Sequence, residues 1–168
     1  MNTRLCAYDL LTPEQRVQLH EVKVHAEQIA FCGTVESALH SLLRQPHPAI
    51  TAFVLLVDDR PVAFLLLKRY PFLAHWADAD SATLHALQVD ERLQGHGLGK
   101  ICLHALPDAV RQIWPEIRQL MLSVSPFNAC ALAFYLSQGW VESGDAYRGE
   151  RRLIFTLPPV PGEHQQAS

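Results

Sequence analysis

Val89-Asp90-Glu91-Arg92-Leu93-Gln94-Gly95-His96-Gly97-Leu98-Gly99-Lys100 is the stretch from which the rest of the chain can be read. An extended segment, Ala82 to Gln88, precedes it, and a helix-like run, Lys100 to Leu106, follows. Strand, glycine-rich turn and helix in that order form a device for holding an anion. Glycine lets the backbone turn sharply and approach a ligand closely, because it has no Cβ. The first N–H groups of the helix lack intrahelical partners, and the helix dipole adds partial positive charge there. A phosphate or pyrophosphate suits such a cradle.

Spacing decides which kind of loop this is. A Walker A loop needs Gly-x-x-x-x-Gly-Lys-Ser/Thr. Here Gly99-Lys100 is followed by Ile101, and the earlier glycine would fall at Gln94. A dinucleotide fingerprint needs Gly-x-Gly-x-x-Gly near the first βαβ unit. Its third glycine would fall at Lys100, and the stretch lies past the middle of the chain. Neither nucleotide loop fits.

Working outward, Leu5 to Asp9 reads as a short first strand. Thr12-Pro13-Glu14-Gln15 reads as a helix start, with Thr12 as N-cap, proline at the first position and Gln15 three residues on. A helix over Val35 to Arg44 follows from Ala38, Leu39 and Leu42 at helical spacing, and it stops by Gln45 because prolines follow. Ala52–Val57 and Val62–Leu67 flank Asp58-Asp59-Arg60-Pro61 as a hairpin, and their continuous apolar runs call for a sheet covered on both faces. Pro107 should kink or end the helix after the glycine turn, with resumption to Trp114. Ile117 to Ser125 is a strand. Asn128 caps a helix over Ala129 to Gln138, and Gly139 suits its left-handed end. Trp140–Tyr147 and Arg151–Leu157 pair as a closing hairpin. The elements describe a single α/β domain over residues 1–157, with residues 158–168 a flexible tail.

The 168 residues are 49% hydrophobic and 18% charged, which suits a globular domain able to bury a core. A net charge of −3 argues against a general nucleic-acid binder, which shows a basic patch. Cys6, Cys32, Cys102 and Cys130 are far apart and read as reduced thiols of a cytoplasmic protein. The nine histidines show no Cys/His spacing for zinc, so no metal is expected. Nothing resembles a secretory start, and no apolar run reaches a membrane span.

Gln94, Gly97 and Gly99 fill the pattern Gln/Arg-x-x-Gly-x-Gly/Ala after a strand ending at Val89. This resembles motif A of the GNAT N-acetyltransferase superfamily. Ser123-Val124-Ser125, Asn128, Ala131, Phe134-Tyr135 and Gly139-Trp140 are similar to its motif B. The resemblance covers Ala52 to Leu157. It implies a mixed, mostly antiparallel central sheet, splayed between the fourth and fifth strands and flanked by helices. A weaker likeness to bacterial diamine and polyamine acetyltransferases rests on Glu27-Gln28-Ile29-Ala30-Phe31, the helix to Leu43 and the Asp59-to-Phe64 hairpin. Thr83-Leu84-His85-Ala86 departs from what that subfamily would show. Dimers are common among the proteins it resembles, so a homodimer is compatible with it.

The resemblance implies acetyl-CoA as cosubstrate and an amine as acceptor. Acetyl-CoA would lie between the splayed strands, with Leu87 and Val89 pairing to the pantetheine arm through their main chains. Gln94, Gly95, His96, Gly97, Leu98, Gly99 and Lys100 would wrap the pyrophosphate. Asn128 both caps its helix and faces the pantetheine, beside Ala131. Tyr135, seven residues on, falls on the same helix face, and its phenol can protonate the departing thiolate. A superfamily glutamate on the motif A strand corresponds to Thr83 here. His85 is then the candidate base, with ordered water as the other route. Strict alternation would put His85 on the face of Thr83 and Leu87, opposite Leu84 and Ala86. The Val89 N–H is the candidate donor to the oxyanion. A polyamine acceptor would call for an acidic pocket built from Asp78, Asp80, Glu142 or Asp145. A protein amine as acceptor, and a non-catalytic acyl-CoA-binding protein, are the alternatives.

Overall fold

The computed structural model describes residues 1–44, 46–146 and 148–159. In chain order the elements are β1 (Thr3–Ala7), α1 (Pro13–Leu19), α2 (Ala26–Cys32), α3 (Val35–Arg44), β2 (Ile50–Val57), β3 (Arg60–Lys68) and β4 (Ser81–Val89). Then come α4 (Leu98–Ile113), β5 (Gln119–Val124), α5 (Ala129–Ser137), β6 (Val141–Asp145) and β7 (Arg151–Thr156). One seven-stranded sheet runs β1-β2-β3-β4-β5-β7-β6. All neighbours are antiparallel except β4 and β5.

The β2–β3 hairpin is the buried spine. Its turn residues Asp58 and Asp59 have φ of 49° and 67°, the twisted geometry that two-residue hairpins favour. Alternate residues feed two separate cores. Phe53, Leu55, Leu65 and Leu67 point into one with α4, while Val54, Leu56, Phe64 and Leu66 point into the other with α1 and α3. A strand buried on both faces has no need of polar alternation, so its sequence reads as a continuous apolar run.

Local signals explain most boundaries. Thr12 and Gln15 form the reciprocal cap at the start of α1, with Thr12 Oγ1 accepting from the Gln15 N–H and Gln15 Oε1 from the Thr12 N–H. The first strand sits at Thr3–Ala7 rather than Leu5–Asp9, because Tyr8–Leu10 turns into a short 3₁₀ segment. Helix α4 begins at Leu98 and runs unbroken through Pro107 to Ile113. The buried stripe Leu98, Cys102, Leu103, Leu106 and Val110 holds it against the core across the position where proline removes one hydrogen bond. Of the expected tail, residues 160–168 lie outside the described residues, as do Gln45 and Tyr147.

Two features position the cleft. Strands β4 and β5 pair only over Ser81–Thr83 with Gln119–Met121, so Leu84 to Val89 and Leu122 to Val124 diverge. Within the diverging part, β4 carries a bulge. Phe64 faces Gln88 and Leu66 faces His85, so two steps on β3 match three on β4. Ala86 takes the extra step with φ of 55°. The bulge corrects the strict alternation expected for this strand. Leu87 packs on the same core as Leu84, whereas Ala86 packs on the opposite one.

Candidate active site

The glycine loop lies where β4 feeds α4. Asp90 caps the turn, its carboxylate accepting from the Arg92 backbone N–H at 3.1 Å and from the guanidinium at 3.1 and 2.7 Å. Burial disfavours that carboxylate, yet the bonds and charge of Arg92 outweigh it and hold its pKa below the usual range. Gly95 and Gly97 have φ of 86° and 77°, backbone that other residues adopt only at a cost. Gly97 is the N-cap of α4, so the N–H groups of Leu98, Gly99 and Lys100 have no intrahelical acceptor. Gly99 is small for another reason: a Cβ there would meet Phe134 Cζ of α5 at 3.2 Å. The three glycines thus shape the cradle and let the two walls close on it.

A cavity of about 440 Å³ opens from this cradle. Leu87, Val89, Gln94, Gly95, Gly97, Leu98, Gly99, Lys100, Asn128, Ala131 and Tyr135 all line it. His96 does not; it is exposed on the outside of the turn. The Asp90 N–H donates to the Val62 carbonyl at 2.9 Å. In an antiparallel ladder alternate residues bond across, so Val89 turns its own N–H and carbonyl away from β3 and toward the splay. Consistently, Gln94 Nε2 reaches the Val89 carbonyl at 3.0 Å.

Helix α2 forms the third wall, and sequence periodicity did not reveal it. Its seven residues include no buried one, so it lacks the apolar stripe by which helices are read. Gln28, Phe31 and Cys32 project into the cavity. Gln94 Nε2 donates to Gln28 Oε1 at 3.0 Å and so ties α2 to the glycine loop. Burial raises the Cys32 thiol pKa, which keeps it from being a thiolate nucleophile at neutral pH.

On the other side of the splay is a second cavity of about 590 Å³. His85, Trp76, Ser123, Ser125 and Glu150 line it together with apolar residues of β4 and β5. Asp78, Asp80, Glu142 and Asp145 do not. Asp78 instead accepts from Gln119 at 2.8 Å, and Glu142 pairs with Arg151 at 2.7 Å. His85 Nε2 is 2.7 Å from Thr83 Oγ1. Burial, helped by the charge of Lys68, lowers the His85 pKa to about 4, so its imidazole is neutral at physiological pH.

The two cavities share one wall: Phe31, Cys32, Leu87, Asn128, Ala131 and Tyr135 line both. Asn128 Oδ1 accepts from the Ala131 N–H at 3.3 Å, so the cap of α5 also orients this wall. Tyr135 packs its ring on Phe134 and Trp140, at centroid distances of 5.4 and 5.5 Å. Burial drives its phenol pKa well above the ordinary value, with the neighbouring Cys102 and Cys32 adding to the shift. Tyr135 therefore stays protonated until a strong base forms beside it. Among the described residues, no group of three or more histidine, cysteine or acidic side chains could hold a metal ion. No helix among them is long and apolar enough to cross a membrane.

Comparison with known proteins agrees with this fold. The model of the acetyltransferase (GNAT) family matches residues 8–140. An acetyltransferase from Thermus thermophilus superposes with a TM-score of 0.68 at 25% identity, covering 94% of this chain and 98% of that one. The ribosomal-protein-S18-alanine N-acetyltransferase from Escherichia coli gives 0.62 at 23%, covering 96% and 98%. An aminoglycoside acetyltransferase in complex with coenzyme A gives 0.69 at 18%, covering 92% and 95%. A search of the curated proteins found no match.

Proposed function

Because the chain belongs to the GNAT acetyltransferase family, we propose that it moves the acetyl group of acetyl-CoA to a small primary amine by direct attack in a ternary complex. The observation that carries this reading is the wall shared by the two cavities, with Tyr135 in it. One cavity has the glycine cradle and suits a long, phosphate-bearing thioester. The other has hydroxyls, an imidazole and a carboxylate, and suits an amine.

The cradle fits the pyrophosphate. It combines positive-φ glycines, a helix start with free N–H groups and Lys100 at the rim. The outward-facing main chain of Val89 and Leu87 offers strand-like pairing to the pantetheine amides. Nothing within 4 Å would oppose a Cβ at Gly95 or Gly97, so the space over the turn is open to a ligand.

The amine nitrogen must shed two protons, and the leaving thiolate must gain one. The acceptor arrives as an ammonium and must lose a proton before its nitrogen can bond to the thioester carbon. His85, neutral at physiological pH, accepts a hydrogen bond from it and relays the proton to water rather than storing it. The C–S bond then breaks, the thiolate takes the phenolic proton of Tyr135, and the second proton shed by the new amide nitrogen restores the phenol. The Val89 N–H, turned into the splay, stabilises charge on the carbonyl oxygen between these steps. Cys32, held as a thiol by burial, is a poor nucleophile, which disfavours an acetyl-cysteine route through it.

Tyr135→Phe tests the reading. Turnover should fall at least about tenfold, with coenzyme A affinity by calorimetry little changed. Unchanged turnover would remove Tyr135 from the mechanism. A protein that binds coenzyme A yet acetylates no amine in a broad screen would support the non-catalytic alternative.

A further inference from the structure

We infer that the acceptor is a primary amine with a single positive charge and an apolar, preferably aromatic, body, held by Glu150 and Trp76. The inference rests on the acetyl-transfer reading above and adds the charge class of its second substrate.

Charge balance is the first argument. Among the described lining of the second cavity there is one carboxylate, Glu150, and neither lysine nor arginine. His85 is neutral, for the reasons already given. The cavity therefore carries one negative charge and matches one ammonium. A polyamine lodged there would hold a second ammonium without a counter-charge, and an amino acid would set its carboxylate against Glu150 with no cation to offset it. Glu150 is also available: no described side chain or amide bonds its carboxylate, and only its main-chain carbonyl is used, by the Ala146 N–H at 2.8 Å.

The shape of the wall is the second argument. Trp76 lies on the β3–β4 connection, which is pinned at two points. Arg152 of β7 donates to the Trp76 carbonyl at 3.4 Å, and Gln119 of β5 holds Asp78 at 2.8 Å. On a connection held in this way, the half-buried indole of Trp76 lines the cavity and supplies an aromatic surface for an ammonium or a flat ring. Leu84, Leu122 and Val124 continue the apolar surface from it toward Tyr135. An amine with an uncharged hydrocarbon body can fill this surface, whereas a polyhydroxylated polycation would leave it unused.

The test compares phenethylamine, spermidine and phenylalanine as acceptors, read as release of free coenzyme A thiol, with phenethylamine binding to the protein–coenzyme A complex followed by calorimetry. Phenethylamine should give a kcat/KM at least about tenfold above the other two. Glu150→Gln and Trp76→Ala should each raise its KM severalfold while coenzyme A affinity stays unchanged. Preference for spermidine or phenylalanine overturns the inference and leaves acetyl transfer standing. Absence of phenethylamine binding also overturns it. Binding that is weakened by Glu150→Gln, but without turnover of any amine, upholds the cation site and instead overturns the acetyl-transfer reading.

Discussion

His85 Nε2 lies 2.7 Å from the hydroxyl of Thr83, two residues earlier on the same strand. The bond holds a histidine that is largely removed from water and has Lys68 nearby, and its pKa falls to about 4 from an ordinary 6.5. A base depressed in this way makes the fold acid-sensitive. The unfolded chain takes up its proton first, so stability is lost as pH falls below about 6.5, and the loss is complete near 4. Its full size is about 3 kcal/mol. Urea unfolding at about pH 7 and about pH 4.5 should show a smaller difference in His85→Asn than in the parent protein. An identical difference in both would assign the acid sensitivity to other groups.

Gly97 separates the cost of folding the cradle from the cost of filling it. Gly97→Ala puts a side chain at φ of 77°, which costs about 1–2 kcal/mol of stability. The new Cβ meets no protein atom within 4 Å, so it projects into the space proposed for phosphate. Coenzyme A affinity should fall by more than the lost stability accounts for. Thermal melts and calorimetry on the same preparation would decide. A loss confined to stability would mean that the ligand does not approach this glycine.

Gln94 binds the loop to both of its neighbours. Its amide reaches the Val89 carbonyl and Gln28 Oε1, each at 3.0 Å. Gln94→Ala removes both bonds, worth about 1 kcal/mol apiece. Amide exchange in residues 26–32 should accelerate, because α2 has no buried side chain and its tie to β4, Gln88 Nε2 to the Cys32 carbonyl at 3.3 Å, lies at its last residue. Coenzyme A should bind about fivefold more weakly. Unchanged exchange in α2 would show that the helix is held by something other than this tether.

What the sequence made legible followed from strong local chemistry. The capping pair Thr12–Gln15, the doubly apolar hairpin, the glycine turn and the cap at Asn128 are each set by neighbours within a few residues, and each stands where expected. Helix α2 was hidden because it faces a cavity rather than a core. The bulge was hidden because alanine carries no mark of a left-handed backbone; only the register against β3 exposes Ala86. Trp76 and Glu150 lie in connections far apart in sequence, and only the fold brings them to one cavity. The same distance explains the acidic residues that were expected there: Asp78 and Glu142 are taken up by Gln119 and Arg151 instead.

The extra residue at Ala86 gives β4 two parities in one strand. Before it, even-numbered positions such as Ala82 and Leu84 enter the α4 core; after it, odd-numbered Leu87 and Val89 do. The cofactor half and the acceptor half of the strand are thereby out of phase by one residue. Removing Ala86 would bring them into step without exchanging faces: Leu87 would then follow Leu84 by two positions and keep the α4 side, and the left-handed step between His85 and Leu87 would be lost. A substitution at Leu84 or at Val89 changes the wall of one cavity alone, whereas loss of Ala86 removes the bend between the two halves and so alters how the cavities meet.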